Sequence, residues 1–541
     1  MGESFEPPGP GQWSLDRSHF PGGVTPLAQS LHASSMSAGM ERVFGEIGAP
    51  IRRIDSAFVN GFNYTRVRPL VGGDKPATKL PPTPVLKVMT RLHPEFRRRA
   101  RAARATLNDK PYLAVAERWE RELKPDLVAT NREFQSVDLT SLDDVELPAY
   151  VIRLLDHCRA GLELHFWLHG HDLAPIARLV HECEQWGLDG GEAAAALAGA
   201  SPSTARPAEL LVRLRTIVDG SGVDVTSLDD VRACSPEAAA LLDEYLGERG
   251  SVLATGYDIT SFTLGEMPGA ILTSIRGAVD PPTSDSGEVA AALRERVPAA
   301  DRSRFDEYLG DARAVMDMRD DNGPVTAEWP LGLLRLALLE AGRRLAERGA
   351  LVEAEHALDL TEDEVRRLFS GELPAADVIA ARAARRLELA ELDPPATLGV
   401  VEPQPPLDVL PDPLPAMVGM VQAAMRHMGM DGDVGADPLT GVGIGTAAFT
   451  GRARTAASAE EAFEKLEPGD VLVVRATSPA FNVVLSIAGA VVTANGGALS
   501  HAAVLARELG IPAVVGAPAA LDIPDGAMVE VDPLAGTVRV V

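Results

Sequence analysis

The spacing of apolar residues changes period along the chain, and each change predicts a different kind of structure. From about Val85 to Gly190, apolar groups recur three and four residues apart, in Pro94 to Ala103 and again from Leu142 to Leu168. That period predicts helices. Further helices are expected from Ala205 to Asp219, from Ser235 to Leu246 and from Pro330 to Gly349. In the last of these, Leu331, Leu334, Leu338 and Leu345 share a face, Arg343, Arg344 and Glu347 point outward, and Gly349 supplies a stop. Thr361 and Glu364 form a capping box for the next helix. The last hundred residues read differently. Short apolar runs at Asp470–Arg475, Gly489–Thr493, Ala513–Val515, Met528–Val531 and Thr537–Val541 predict strands, with a helix over Ser500–Leu509 between them.

Two stretches carry neither period. The first 80 residues are rich in Pro and Gly and hold Trp13, Phe20, Phe58, Phe62 and Tyr64; they predict extended strands and turns laid over a larger body, followed by a loop from Lys75 to Pro84. Val400 to Pro415 has six prolines in sixteen residues, which excludes a helix and suits a stiff spacer of up to ~50 Å. A short helix over Ala416–Met428 and a Gly/Asp-rich stretch from Gly429 to Gly445 follow, so the two flexible points bracket a candidate hinge. The expected fold is multidomain: a mostly α-helical substrate-binding region over 1–399, a linker and hinge over 400–436, and a C-terminal α/β domain over 437–541.

With 541 residues the chain can bury two or three cores. Its 51 basic and 77 acidic residues give a formal net charge of −26, which repels a nucleic-acid backbone. Anionic small molecules need a local cluster of cations against that field. Three isolated cysteines, no secretory signal at the N-terminus and no apolar run of ~18–20 residues lead us to expect a cytoplasmic protein with no membrane span.

The chemistry concentrates at Thr493-Ala-Asn-Gly-Gly-Ala-Leu-Ser-His501, where a glycine turn feeds a helix. Ser500 can cap that helix, Gly496 and Gly497 allow close backbone approach, and unpaired amides at a helix start favour an anion. A neutral imidazole there is a competent nucleophile towards phosphorus. His501 is therefore the candidate phosphoryl carrier, supported by Thr493, Gly496, Gly497, Ser500 and Arg507.

This segment resembles the phosphohistidine, or swivelling, domain of the phosphoenolpyruvate-utilising enzyme family. The resemblance runs through Gly496, Gly497, Ser500, His501, Ala503, Ala506, Arg507, Glu508, Gly510, Ile511, Pro512 and Gly516, and upstream through Glu467-Pro-Gly-Asp470 and Ala476-Thr477-Ser-Pro479. Where the family has an acidic residue after the threonine, this chain has Ala494. The resemblance implies that the histidine accepts a phosphoryl group at one site and delivers it at another.

No Walker-type cradle occurs, and there is no room before the acceptor region for the family's ATP-grasp domain. From the short stretch after His501 we expect no phosphoenolpyruvate-binding barrel in this chain. ATP and Mg²⁺ are therefore expected at a partner, an ATP-grasp subunit supplied by another polypeptide, with no metal site in this chain. The remaining residues resemble the acceptor region of the rifamycin-phosphorylating branch: Trp13 to Pro21, Thr25-Pro26-Leu27, and Met318-Arg319-Asp320 before the Pro330 helix. A family lysine four residues after that arginine is Gly323 here. The implied activity is a kinase-type transferase acting on a phenolic or alcoholic hydroxyl. A non-catalytic regulatory protein retaining the fold, and a different reaction in the same pocket, are the alternatives.

Arg319 is the candidate for stabilising the transferring group, because a planar guanidinium holds two phosphoryl oxygens. Five of the eleven histidines fall between His157 and His181, and His165 and His169 share a helix face. With Phe62, Tyr64, Tyr257 and Arg276, they are candidates for the acceptor pocket.

Overall fold

The computed structural model describes residues 3–16, 19–20, 22–75, 79–278, 286–429, 439–477, 481–485 and 487–541. Six helices matter most: α1 (Pro26–Ile47), α2 (Glu146–Gln185), α3 (Met316–Gly323), α4 (Trp329–Glu347), α5 (Leu414–Met428) and α6 (His501–Leu509). The strands are β1 (Gln12–Asp16), β2 (Ile51–Val59), β3 (Phe62–Pro69), β4 (Thr397–Gly399), β5 (Val442–Ile444), β6 (Phe449–Ala456), β7 (Val471–Val474), β8 (Ala490–Thr493), β9 (Ala513–Val515), β10 (Met528–Asp532) and β11 (Thr537–Val540). A mostly helical N-terminal region is thus followed by a C-terminal α/β domain. The chain divides into two compact units, one of residues 1–171, 257–261 and 322–419, the other of residues 172–256, 262–321 and 420–541.

The first unit is helical with one small antiparallel sheet, in the order β2-β3-β1-β4. Its opening is not wholly extended: α1 occupies 22 of the first 80 residues. Thr25 caps it, accepting from the Ala28 amide, and Pro26 fits the first turn, where no amide partner is needed. The helix escaped the periodicity because Ser35 and Gly39 hold buried positions where larger apolar residues would be expected. Those small residues permit close packing. A Cβ on Gly39 would lie 2.6 Å from the Glu163 carbonyl oxygen of α2, and one on Gly170 would meet Val43 of α1.

α4 is buried on nearly every side, including Arg344, which sequence periodicity turns outward. The burial is possible because Arg344 donates to the carbonyls of Leu142 and Leu139 at 2.7 and 3.0 Å and pairs with Glu340. Arg343 and Glu347 do face solvent. The proline-rich stretch has no regular structure up to Pro406, as its composition requires. It is tied down rather than free: Val400 donates to the Gly11 carbonyl, Val409 is buried, and Arg104 donates to the Asp412 carbonyl.

In the second unit, helices from Pro202 to Gly277 enclose a core of Leu210, Leu214, Leu242, Ile271 and neighbours. The C-terminal sheet runs β11-β10-β6-β7-β8-β9-β5, with β6 to β9 parallel and the edges antiparallel. Leu472 and Val474 pack on one face, Val471 and Val473 on the other, so β7 is buried throughout, as parallel strands covered on both faces are. All five strands expected here form, as does the helix. Of the Gly/Asp-rich stretch, residues 430–438 lie outside the described residues, and Val442–Ile444 is a sheet-edge strand. Among the described residues no helix is long and apolar enough to cross a membrane.

Two glycines test the packing. A Cβ on Gly161 would stand 2.1 Å from the Thr326 carbonyl oxygen, a backbone atom that cannot step aside, whereas Gly310 is exposed within its helix with nothing within 4 Å. Gly161→Ala should lower unfolding free energy by about 1–3 kcal/mol, and Gly310→Ala should raise it by about 0.5–1 kcal/mol. Urea unfolding of both variants measures the contrast; equal effects would show that α2 does not pack this closely.

Candidate functional site

β8 delivers the site. Its four residues are fully buried, and at its end Thr493 turns its hydroxyl back to donate to the Asn495 carbonyl at 2.7 Å. The chain then continues in conformations that only glycine adopts readily: Gly496 has φ +132°. Side chains are excluded here on several sides. A Cβ on Gly516 would lie 2.5 Å from the Gly496 carbonyl oxygen, and one on Gly497 2.5 Å from the His427 carbonyl oxygen. From beneath, Arg507 donates to the Ala498 carbonyl at 2.6 Å. Arg507 is thus a brace of the turn, and burial lowers its pKa only to about 10, so it stays charged.

Ser500 caps α6, accepting from the Ala503 amide, and Gly510 closes it in the left-handed conformation. His501 therefore occupies the first turn of a helix whose amides favour an anion. Its Nδ1 lies 2.9 Å from Thr477 Oγ1. Thr477 was visible in the Ala476-Thr477 motif but carried no assigned role. Burial first, and the Arg319 charge second, together lower the imidazole pKa to about 4.

Arg319, on α3, is consequently within electrostatic reach of His501, and both belong to the second unit. Its guanidinium lies 3.7 Å from the fully buried carboxylate of Asp172. A cavity of about 20 Å³, room for one water, separates the two elements; Met316, Arg319, Leu197, Leu499, Val504 and Arg507 line it.

The remaining candidates divide. Arg276 donates to the Val225 carbonyl at 2.6 Å and serves the helical core. Phe62 and Tyr64 are core residues rather than pocket walls: both are closed off beside Trp13 and Leu398, and the Tyr64 hydroxyl donates to the Pro395 carbonyl at 2.8 Å. That is the outcome of docking the small sheet, which needs large apolar anchors. His165 and His169 meet with their Nε2 atoms 3.1 Å apart. Thr326 Oγ1 approaches His165 Nδ1 at 3.4 Å, from a wide turn over Pro324–Glu328. Among the described residues no group of three or more His, Cys, Asp or Glu side chains converges as a metal site would require.

Tyr257 lies in a polar cluster that sequence reasoning did not assemble. Its ring is 5.6 Å from that of His19, whose Nδ1 contacts Asp16 at 2.8 Å, and 6.3 Å from Phe20, which packs edge-on against His32. Burial raises the Tyr257 hydroxyl well above its ordinary pKa, helped by Glu328 and Asp16. Burial also lowers His32 to about 3, while Asp16 raises His19. The Asp16-x-x-His19 spacing was the available signal.

Residues 466–536 match the family model "PEP-utilising enzyme, mobile domain", and this segment is homologous to that domain. A phosphoenolpyruvate synthase of Aeropyrum pernix is 46% identical over 101 residues, 18% of this chain and 12% of its own. An uncharacterised protein of Mycobacterium tuberculosis is 35% identical over 219 residues, 40% of this chain, and an uncharacterised phosphotransferase of Bacillus subtilis is 30% identical over 241 residues, 44% of this chain. The chain spans only about a quarter of the length of these two relatives, 22% and 27%.

The lowered pKa makes a direct prediction. Unfolded chain protonates this imidazole near pH 6.5, while the folded protein does so only near 4. The unfolded state therefore binds more protons between those values, and stability falls as pH drops through that window. His501→Gln should flatten part of that acid-side loss in urea titrations at pH 7 and 5, and the ring proton shifts of His501 should remain those of the neutral form down to about pH 5. A midpoint near 6.5 would remove the burial argument.

Proposed function

We propose that this protein is a phosphotransferase component in which His501 carries a phosphoryl group and passes it to a small-molecule hydroxyl, phenolic or alcoholic. The observation that carries the reading is the pairing of a neutral, helix-capped His501 with Arg319 in one unit. The homology of residues 466–536 supports it, and so does the phosphotransferase description of the Bacillus relative.

In the first half-reaction, Thr477 accepts a hydrogen bond from Nδ1–H and so leaves the lone pair on Nε2. That nitrogen attacks a phosphorus atom of ATP, held with Mg²⁺ on a separate ATP-grasp subunit; a P–N bond forms and a P–O bond to the nucleotide breaks. In the second, the acceptor oxygen attacks the same phosphorus, the P–N bond breaks and the imidazole recovers its neutral form. Asp172, beside Arg319, receives the hydroxyl proton. Arg319 opposes the charge on the transferring group's oxygens, an interaction strongest in the transition state. The system is cytoplasmic and multisubunit, with the ATP-binding part on the other polypeptide.

A partner-free assay addresses the carrier first. Phosphoramidate, a chemical donor to neutral imidazoles, should place an acid-labile, base-stable phosphate on His501 ahead of the other histidines, located by peptide mass spectrometry. His501→Ala should lose that label while its circular dichroism is unchanged; equal labelling of the variant would sink the assignment. With the labelled protein in hand, a screen of phenols and alcohols for accelerated loss of phosphate identifies the acceptor.

Arg319→Ala should charge normally and discharge to that acceptor on the order of 10²-fold more slowly in rapid quench. Asp172→Asn should slow the same step. Normal discharge by both variants would remove Arg319 and Asp172 from the chemistry while leaving the carrier in place.

A further inference from the structure

We propose that the helix Thr83–Leu92, with the helix Pro94–Asp109 that follows it, docks the protein on an anionic lipid surface. An apolar stripe enters the lipid interface, and the arginines around it meet the head groups. Val85, Val88, Met89 and Leu92 recur three and four residues apart, so they share one face of the first helix. A face of this kind ordinarily turns to the core. Here all four residues are 47–63% exposed. The one buried residue of the helix is Thr90, whose hydroxyl donates to the Val409 carbonyl. The helix rests on its successor and on the turn Leu407–Val409, with its polar side on the protein and its apolar side outward.

Charge here runs against the trend of the whole chain. From Lys79 to Arg104 there are eight lysines and arginines and one acid, Glu95, in a protein of net charge −26. Lys87 is paired with Asp408 at 2.7 Å, Arg98 with Glu95 at 2.8 Å, and Arg99 is buried. Lys79, Arg91, Arg97, Arg101 and Arg104 are exposed. Arg97 and Arg104 donate to the carbonyls of Leu92 and Asp412, contacts that fix the side chains without cancelling their charge. Arg97, Arg101 and Arg104 share a face of the second helix, and the bond to Leu92 sets Arg97 beside the end of the apolar stripe. Acidic groups elsewhere are screened beyond about 8 Å at physiological ionic strength, so a surface touching this helix meets a cationic patch.

Stripe and charge together favour lipid over the other occupants. A nucleic-acid backbone takes the arginines but has no use for four exposed aliphatic side chains. A second copy in two-fold contact through the stripe brings arginine against arginine. An acidic protein satisfies both features only through an apolar groove of matching shape. An anionic bilayer offers acyl chains beneath a layer of negative head groups, the same layering as the stripe and its flanking arginines. A helix of ten residues lies in such an interface and does not span it.

Flotation of the full chain tests this, with vesicles of equal parts phosphatidylglycerol and phosphatidylcholine and with phosphatidylcholine alone. The protein should bind the anionic vesicles roughly tenfold more tightly, and added salt should weaken that binding. Val88→Ser combined with Met89→Ser, both at exposed positions, should weaken it about tenfold, as should Arg101→Gln combined with Arg104→Gln. Val88→Trp should give fluorescence that anionic vesicles shift to the blue and brominated acyl chains quench, a readout that stands alone if a double variant does not fold. His501→Ala should bind as the parent does, which separates this surface from the proposed phosphotransfer. No binding to anionic vesicles, binding indifferent to the two serines, or an indole that stays in water would each overturn the proposal. So would a dimer in sedimentation velocity that the two serines abolish, which assigns the stripe to a second copy. Equally tight binding of soluble polyglutamate would overturn it too, and would assign the patch to an acidic polypeptide.

Discussion

The turn that presents His501 depends on backbone meeting backbone at distances no side chain tolerates. At the end of α5, the His427 carbonyl accepts the Leu499 amide at 2.6 Å, and a Cβ on Gly429 would stand 2.3 Å from the Gly496 carbonyl carbon. Helix C-termini have carbonyls without intrahelical partners, and here one of them is spent on the loop that carries the reactive residue. The same helix end is fixed from its side chains: Glu184 of α2 receives Arg426 at 2.7 Å and His427 at 2.9 Å. Glycines at 429, 496, 497 and 516 are therefore one geometric requirement rather than four separate ones. Imidazole orientation, set by Thr477, follows only after that requirement is met.

This places limits on what sequence could reveal. The C-terminal domain was legible almost strand by strand, because buried parallel strands are short uninterrupted apolar runs and the glycine turn between β8 and α6 has few conformations open to it. The capping box at Thr361 was equally legible, since a cap is a local matter of four residues. α1 was not, because its contact with α2 selects small residues, and small residues carry little hydrophobic signal. Arg344 misled for the opposite reason. A charge normally marks solvent, and this one is buried because two carbonyls from Leu139 and Leu142 are waiting for it.

Long-range assemblies were the other gap. Asp172 lies 147 positions before Arg319 in the sequence, and nothing in either neighbourhood announces the other. Asp16, His19, Tyr257 and Glu328 come from three distant segments and meet only because the first unit gathers residues 257–261 and 322–419 onto its N-terminal half. Aromatic residues were misjudged in the same way: Phe62 and Tyr64 sit in turn-like sequence, which suggests display, yet each faces inward across the small sheet.

Arg319 brings these threads to one physical point. A cation near an imidazole disfavours the protonated ring, so its charge helps keep His501 neutral and nucleophilic before any transfer. In the proposed transfer, a phosphoryl group on the ring reverses the sign of the interaction, because the group is anionic. The same guanidinium that was repelled by imidazolium is then attracted to the charged carrier. Asp172, fully buried at 3.7 Å, keeps Arg319 from being an isolated buried cation in the unphosphorylated protein. On the proposed mechanism Arg319 disfavours the protonated ring and favours the loaded one from a single position, beside the buried carboxylate of Asp172.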